Sequence, residues 1–295
     1  MENAHSLFRR VKRIEIHTRK LVDQLMSGDY RSVFRGQGME FSDYRPYVAG
    51  DDPRLIDWNV TARTTNPVVK ILTEERELLV MLMVDVSGSL NFGSVNITKA
   101  DRVAETAAVL SLSAAKSNDR VGLLTYGSKV HDYMPPDKGR AHSLAIIQRV
   151  LAASDHKEKA DVEQALKFLG RVLKKKALIF LVSDFKFGSK GERQLKVFSK
   201  KHDMVGIHVF DPREMRVPDV GRIKFRDPES GKVSIVNTSS ASWQRAFSAR
   251  VQKQTTDREK LCKRTKLDVV SISTADDLIL PLRRFFHLRK RRRAH

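Results

Sequence analysis

Two unbroken apolar segments constrain the fold of this 295-residue chain more than any other feature. Residues 78–84 read LLVMLMV and residues 177–182 read ALIFLV, with no polar residue at alternate positions. Segments of this kind predict strands that are covered on both faces, as in a parallel sheet between layers of helices. A third segment, MVGIHVF at residues 204–210, predicts another buried strand.

Helical patterns separate these predicted strands. Residues 98–118 carry alanine, valine and leucine along one side, and further helical patterns lie between residues 140 and 202. Strands that alternate with helices predict an α/β fold with a mostly parallel sheet and right-handed crossovers. Residues 119–127 and 129–136 predict two strands joined by a tight Gly-Ser turn, so we expect one antiparallel strand at the sheet edge.

The remaining segments flank or interrupt this pattern. An amphipathic pattern predicts a helix within residues 1–27. Interleaved glycines, prolines and charges predict short strands and loops at residues 28–76. The α/β domain is expected at residues 77–282, with a β-hairpin insertion near 213–240, and a basic tail at 283–295.

The charge of the chain is strongly basic. It carries 55 Lys and Arg against 35 Asp and Glu, a formal net charge of +20, which favours acidic partners. Seven Lys and Arg lie between Arg283 and Arg293. This segment is either a solvated tail or a surface for anionic lipid or nucleic acid, although aromatic stacking platforms are sparse.

The cysteine content and the hydropathy bear on the location of the chain. There is one cysteine, Cys262, which excludes a disulfide within the chain and a zinc site built from several thiolates. No apolar run approaches the roughly 18–20 residues of a membrane-spanning helix, and the first residues lack the apolar core of a signal peptide. We therefore expect a cytoplasmic protein, with the inner face of the membrane as the alternative.

Polar residues follow both apolar segments at the point where each predicted strand ends. Asp85 ends the first, with Ser87 and Ser89 in the next turn, and Asp184 follows the second. Ligands bind at the carboxyl ends of parallel strands, and carboxylate and hydroxyl oxygens suit Mg²⁺. These residues predict a divalent-metal site. The alternative is that they cap a helix and satisfy turn amides.

This arrangement resembles the metal-ion-dependent adhesion site of the von Willebrand factor A domain. Asp85, Ser87 and Ser89 match its D-x-S-x-S pattern, and Asp184 matches its later aspartate. The resemblance implies Mg²⁺ or another divalent cation that a carboxylate of an acidic partner completes. The threonine of that pattern is absent, and Asp161 is the candidate to supply the missing oxygen.

A longer resemblance precedes the first apolar segment. Residues 34–63, FRGQGMEFSDYRPYVAGDDPRLIDWNVTAR, resemble the signature of the bacterial family called domain of unknown function 58. The resemblance extends over roughly residues 28–275. It implies a von Willebrand factor A-like domain, a MoxR-type AAA+ ATPase as partner, and a role as adaptor or co-chaperone in the assembly or activation of other proteins.

The charged residues of this signature allow two interpretations. They form either an ion network that holds an irregular segment, or a surface that contacts a partner. The residues concerned are Arg45, Asp51, Asp52, Arg54, Asp57 and Arg63. We expect Trp58, an aromatic residue of the same segment, to be a core anchor.

The sequence contains none of the common catalytic motifs. It has no P-loop, no H-E-x-x-H and no G-x-S-x-G. We therefore predict a protein that is not an enzyme: a protein-binding adaptor with a divalent-metal site that acts on an acidic client. The alternative is a protein that binds nucleic acid or an anionic membrane surface.

Overall fold

In the computed structural model, the apolar segments form the centre of a six-stranded sheet. The structure describes residues 4–26, 40–64, 66–73, 77–153, 158–187, 191–228 and 230–293. The chain divides into two units, one of Met1–Val33 with Leu79–His295 and one of Phe34–Leu78. The six-stranded sheet belongs to the first unit.

The regular elements are numbered along the chain. The described strands are β1 (Glu40–Pro46), β2 (Val68–Thr73), β3 (Leu79–Asp85), β4 (Arg120–Tyr126), β5 (Val130–Asp137), β6 (Leu178–Ser183), β7 (Asp203–Phe210), β8 (Arg222–Arg226), β9 (Val233–Asn237) and β10 (Asp268–Ser273). The described α-helices are α1 (Ala4–Met26), α2 (Trp58–Thr61), α3 (Lys99–Lys116), α4 (Arg140–Ala152), α5 (Val162–Val172), α6 (Glu192–Lys201), α7 (Pro212–Met215), α8 (Ala241–Thr265) and α9 (Ile279–Arg293).

The central sheet has the strand order β10-β7-β6-β3-β4-β5. Its strands are parallel except β5, which pairs antiparallel with β4. All six residues of β6, and every residue of β3 except the partly buried Leu79, are buried, because helices cover both faces of the sheet. This confirms the predicted α/β fold class, and it makes β3 and β6 direct neighbours.

Helix α1 packs against α3 and α4. Val22 and Leu25 are buried apolar residues on this helix, at 5% and 1% exposed. Glu15 on the same helix is also buried and accepts a hydrogen bond from the guanidinium of Arg140 at 2.9 Å. The ion pair thus joins α1 to the start of α4.

The basic segment at the end of the chain is not the separate tail that we expected. Helix α9 runs through it, because Leu282 and Phe286 lie four residues apart and both are buried, at 0% and 1% exposed. Arg289 forms ion pairs with Asp203 and Asp268 at the start of β7 and β10. None of the described helices is long and apolar enough to cross a membrane.

Strands β8 and β9 form an antiparallel hairpin outside the central sheet, as the sequence predicted. Helix α8 follows it and is 25 residues long, yet its buried residues are Leu261 and Thr265, close to its end. The hairpin and the first part of α8 therefore form an exposed arm of the larger unit.

Candidate functional site

Four of the five predicted metal ligands lie together at the carboxyl edge of the sheet. Asp85, Ser87, Ser89 and Asp184 are all buried, between 1% and 5% exposed. The Ser87 amide donates to Asp85 Oδ1 at 2.8 Å, and the Ser87 and Ser89 hydroxyl oxygens are 3.2 Å apart. Asp85 thus satisfies a turn amide, as the alternative interpretation expected, but Ser87 makes no side-chain hydrogen bond that caps the short 3₁₀ helix Gly88–Asn91.

Asp85 lies in an environment that disfavours its charge. Burial, and then the negative charge of Asp184, raise the pKa of Asp85 to about 6. The Ser183 hydroxyl donates to Asp85 Oδ2 at 2.7 Å and partly opposes this shift in pKa. A cavity of about 10 Å³ adjoins Asp85 and Ser87, which is room for a single water molecule.

Lys99 is the central one of several residues of this site that the sequence did not predict. It is the first residue of α3 and is 0% exposed. Its ammonium group donates to Asp184 Oδ2 and to Glu214 Oε1, each at 2.8 Å. One sequence signal could have identified it: a lysine in the first turn of a helix opposes the helix dipole and needs negative charge nearby.

A second ammonium group completes this cluster. Lys186 lies 2.6 Å from Glu214 Oε1 and 3.4 Å from Asp184 Oδ2, and its side chain is 41% exposed. Burial alone would raise the pKa of Asp184, but Lys99 and then Lys186 hold it at about 2. Burial opposes the charge of Lys186 as well, and Asp184 and Glu214 outweigh it and raise its pKa. Two ammonium groups thus balance two carboxylates.

The residues present do not fit a divalent cation in this arrangement. A cation beside Asp184 would meet the ammonium groups of Lys99 and Lys186, and Asp184 Oδ2 already accepts a hydrogen bond from Lys99 and lies 3.4 Å from Lys186. Within the described residues, no three His, Cys, Asp or Glu side chains are placed to hold a metal ion. Binding of Mg²⁺ stays a prediction of the sequence alone.

The fifth predicted ligand, Asp161, has a different role in the structure. Its carboxylate accepts from the Gln164 amide at 3.1 Å and caps the start of α5. Its own amide donates to the Gly127 carbonyl at 2.7 Å. Among the hydrogen bonds of the described chain, none joins Asp161 to the other four residues, because its carboxylate is turned to the helix that follows it.

Asp211, after β7, extends the row of carboxylates along the same edge. It is 0% exposed and accepts from the Ser94 amide and the Thr274 hydroxyl, each at 2.9 Å. Burial alone would raise the pKa of Asp211, but these hydrogen bonds, led by those from Ser94, lower it. Asp211 also forms a capping box with Glu214, which fixes the carboxylate that Lys99 contacts.

Acidic residues of the signature form hydrogen bonds and ion pairs with other residues of the smaller unit. Arg45 contacts Asp51 through two hydrogen bonds of 2.6 and 2.7 Å, and this pairing lowers the pKa of Asp51 to about 2. Asp57 accepts from the Tyr44 hydroxyl at 3.0 Å and lies 3.0 Å from the Lys70 ammonium. These contacts favour the interpretation as an ion network.

Other residues of the signature lie at the surface. Asp52 caps the short 3₁₀ helix Pro53–Leu55, while the side chains of Arg54 and Arg63 are exposed. Trp58 is not the core anchor that we expected: it is 66% exposed. It begins the single-turn helix α2 directly after the cap Asp57, and that helix has no buried residue. The first glycines of the signature, Gly36 and Gly38, lie outside the described residues.

Several solved structures resemble this one. BatB from Bacteroides thetaiotaomicron has a TM-score of 0.48 at 11% identity, covering 72% of this chain and 99% of that chain. An aerotolerance-related membrane protein from Bacteroides fragilis has a TM-score of 0.47 at 14% identity, covering 73% and 99%. The SpRpn10 VWA domain has a TM-score of 0.35 at 11% identity, covering 69% and 92%. The central sheet, with β6 and β3 in the middle and β5 as its antiparallel edge strand, agrees with the von Willebrand factor A-like fold that the sequence predicted.

Sequence comparison identifies the family. The family model described as "Protein of unknown function DUF58" matches residues 43–257. The uncharacterized protein Rv1480 of Mycobacterium tuberculosis is 31% identical over 225 residues, which are 76% of this chain and 71% of that protein. The uncharacterized protein MAV169 of Mycobacterium avium is 24% identical over 161 residues, 54% of this chain and 94% of that protein. The family model covers most of the chain, and the chain therefore belongs to the DUF58 family.

Proposed function

We propose that this chain is a protein-binding adaptor and that the exposed face of the β8–β9 hairpin contacts an acidic partner protein. Membership of the DUF58 family and the von Willebrand factor A-like fold are consistent with a protein-interaction domain. The observation that carries the proposal is the arrangement of basic and apolar side chains on this face.

The register of the hairpin defines the face. Lys224 pairs with Ile235, and Arg226 pairs with Val233, while Arg222 extends the basic row on β8. Paired residues of an antiparallel hairpin project on the same side. Ile235 is 73% exposed and Val233 is 45% exposed, so a row of three cations adjoins a row of exposed β-branched side chains.

The opposite face of the hairpin is held against α8. Phe225 stacks on Trp243 with a centroid separation of 6.3 Å, and Trp243 stacks on Phe247 at 5.3 Å. Thr238 at the base of the hairpin is buried and donates to the Gly221 carbonyl at 2.8 Å. These contacts fix the side of the hairpin that faces solvent.

The chemistry of the exposed face suits an acidic protein segment better than nucleic acid. Alternate residues of a strand are roughly 7 Å apart, so the three cations can meet successive acidic side chains. Binding of single-stranded nucleic acid relies on exposed aromatic rings, and the rings of this arm stack inward on one another. Ile235 and Val233 provide the apolar contact that a protein partner would use.

The family resemblance names the first partner to test, a MoxR-type AAA+ ATPase from the same cell. We propose to measure its affinity for the full chain and for the variant R222E/K224E/R226E. The matched control is R193E/K196E/K200E on α6, which makes the same change in charge at three exposed positions. We expect at least a roughly tenfold loss of affinity for the hairpin variant alone.

Two results would count against the proposal. Equal affinity of wild type and hairpin variant would remove the hairpin from the interface. Equal losses in both triple variants would show an attraction that depends on total charge alone. If the ATPase does not bind the wild type, proteins captured from the source cell by wild type and not by the hairpin variant identify the acidic client instead.

One observation favours a second candidate, the binding of an anionic surface. Arg283, Arg284 and Arg291 are exposed on α9, beside Leu288, which is 54% exposed. Deletion of this segment would remove the buried Phe286, so charge substitutions test it better. Binding to anionic vesicles or RNA that weakens with salt and is lost in R283E/R284E/R291E would support this candidate. Binding that changes neither with salt concentration nor with the triple substitution would exclude it.

A further inference from the structure

We propose that the ammonium group of Lys99 is a built-in replacement for the divalent cation of a von Willebrand factor A-type site, so that the carboxyl edge of the sheet is held together without metal. Lys99 lies in α3, whereas the proposed partner contacts the β8–β9 hairpin, so the role of Lys99 does not depend on that partner.

Lys99 lies at a position where a positive charge is costly. Its side chain is 0% exposed, and a charged side chain is almost never fully buried unless it is paired. It also occupies the first residue of an 18-residue helix, where the helix dipole repels a positive charge. The two carboxylates at 2.8 Å offset both costs, so the ion pairs of its positive charge account for the position of Lys99.

The ammonium group of Lys99 links separate turns at the carboxyl edge of the sheet. Asp184 follows β6 and Glu214 lies in α7 after β7, so one side chain from α3 ties together the ends of two neighbouring strands. Ser89, in the turn after β3, also favours the ionised Asp184 carboxyl and lowers its pKa. A bound cation would be expected to link these same turns, and here a covalently attached cation links them.

A metal ion at this site would compete with two cations already present. Lys99 and Lys186 both contact Asp184 Oδ2, at 2.8 and 3.4 Å. The cavity beside Asp85 has a volume of about 10 Å³ and is lined mainly by apolar side chains. A hydrated Mg²⁺ needs far more room, because it keeps several of its water ligands.

The test compares the full-length wild type with Lys99→Ala in chelator and in millimolar Mg²⁺ or Mn²⁺. We expect the wild type to show no shift in melting temperature and no saturable Mn²⁺ binding. We expect Lys99→Ala to melt at a lower temperature in chelator and to recover part of the loss in Mg²⁺, because the substitution frees Asp184 and Glu214 and opens space for an ion.

The control is Lys116→Ala on the same helix, since Lys116 also pairs with an aspartate, Asp23, but at the surface. Saturable binding of Mn²⁺ to the wild type that Asp184→Asn abolishes would overturn the proposal. So would a Lys99→Ala protein that gains no more from Mg²⁺ than Lys116→Ala does. If Lys99→Ala does not fold, the double variant K99A/E214Q replaces it, and the Mn²⁺ titration of the wild type still decides the question.

Discussion

The ammonium nitrogen of Lys99 lies 2.8 Å from Asp184 Oδ2, and both side chains are withdrawn from solvent, at 0% and 3% exposed. Removal of one partner from a buried ion pair leaves the other charge uncompensated and costs about 3–5 kcal/mol. We expect Lys99→Met to lower the free energy of unfolding by an amount in this range, as measured by denaturant titration.

The partner substitution provides the internal check. In the double variant K99M/D184N the two losses should not add, because each single change already breaks the pair. Lys116→Met, which breaks the exposed pair with Asp23, should cost less than about 1 kcal/mol. A Lys99→Met protein as stable as Lys116→Met would show that the buried pair has little effect on folding.

Ser183 supports the ionised form of Asp85. It is 0% exposed, donates to Asp85 Oδ2 at 2.7 Å and accepts from the Phe185 amide at 3.0 Å. We expect Ser183→Ala to cost about 1–3 kcal/mol in the free energy of unfolding, because it leaves two buried groups without this partner.

The cost of Ser183→Ala should depend on pH in a defined direction. Asp85 has a folded pKa raised to about 6 from 3.8, so its burial destabilises the fold as pH rises through this interval. The Ser183 hydrogen bond lowers that pKa, and the serine therefore matters most when Asp85 is ionised. The loss in melting temperature should be larger at about pH 8 than at about pH 5. Ser113→Ala is the control, since the Ser113 hydroxyl is buried without a described partner and its removal should be neutral.

His202 should make the fold sensitive to acid. It is 3% exposed, stacks on Phe198 at 5.2 Å, and burial lowers its pKa from 6.5 to about 4. The unfolded chain binds a proton on His202 more readily than the folded protein does. The stability of the fold with neutral His202 is therefore fully present above about pH 6.5 and is lost as pH falls towards 4.

His202→Phe keeps the aromatic stack and removes the titration. We expect the free energy of unfolding of the variant, relative to that of the wild type, to be roughly 1–2 kcal/mol higher at about pH 5 than at about pH 8. Melting curves across this interval measure the gain. Parallel losses of stability in both proteins on acidification would mean that His202 does not contribute.

Gly206 in the middle of β7 is required by close packing. A Cβ atom there would lie 2.7 Å from Phe185 Cζ and 2.8 Å from Val269 Cγ2, closer than the packed interior allows. We expect Gly206→Ala to destabilise the protein by about 1–3 kcal/mol through this overlap. Gly170→Ala in helix α5, where the nearest contact is 3.3 Å, should be neutral or stabilising in the same denaturation assay.

The sequence predicted the sheet better than it predicted the chemistry at the sheet edge. The unbroken apolar segments identified β3 and β6, and their parallel pairing brings Asp85 and Asp184 to one edge. Lys99 escaped prediction because its contact with Asp184 spans 85 positions and depends on how α3 returns over the sheet. In the sequence it is one of many lysines at the polar end of a helix.

Two other errors have local causes. The segment after residue 283 was expected to be a tail because its basic residues outnumber its apolar ones, yet Phe286 continues the apolar face that Leu282 begins. Trp58 was expected in a core, but α2 is a single turn and exposes it. Composition describes the average of a segment, whereas burial depends on the few positions that face a neighbour.

The most direct measurement of the role of Lys99 is a ¹H–¹⁵N NMR spectrum of the lysine ammonium groups in the full chain. An ammonium group that is buried and hydrogen-bonded to carboxylates exchanges its protons slowly with water. We predict such a signal, lost in Lys99→Met and unmoved by millimolar Mg²⁺. The absence of the signal, or its displacement when Mg²⁺ is added, would contradict a carboxyl edge held together by a built-in cation.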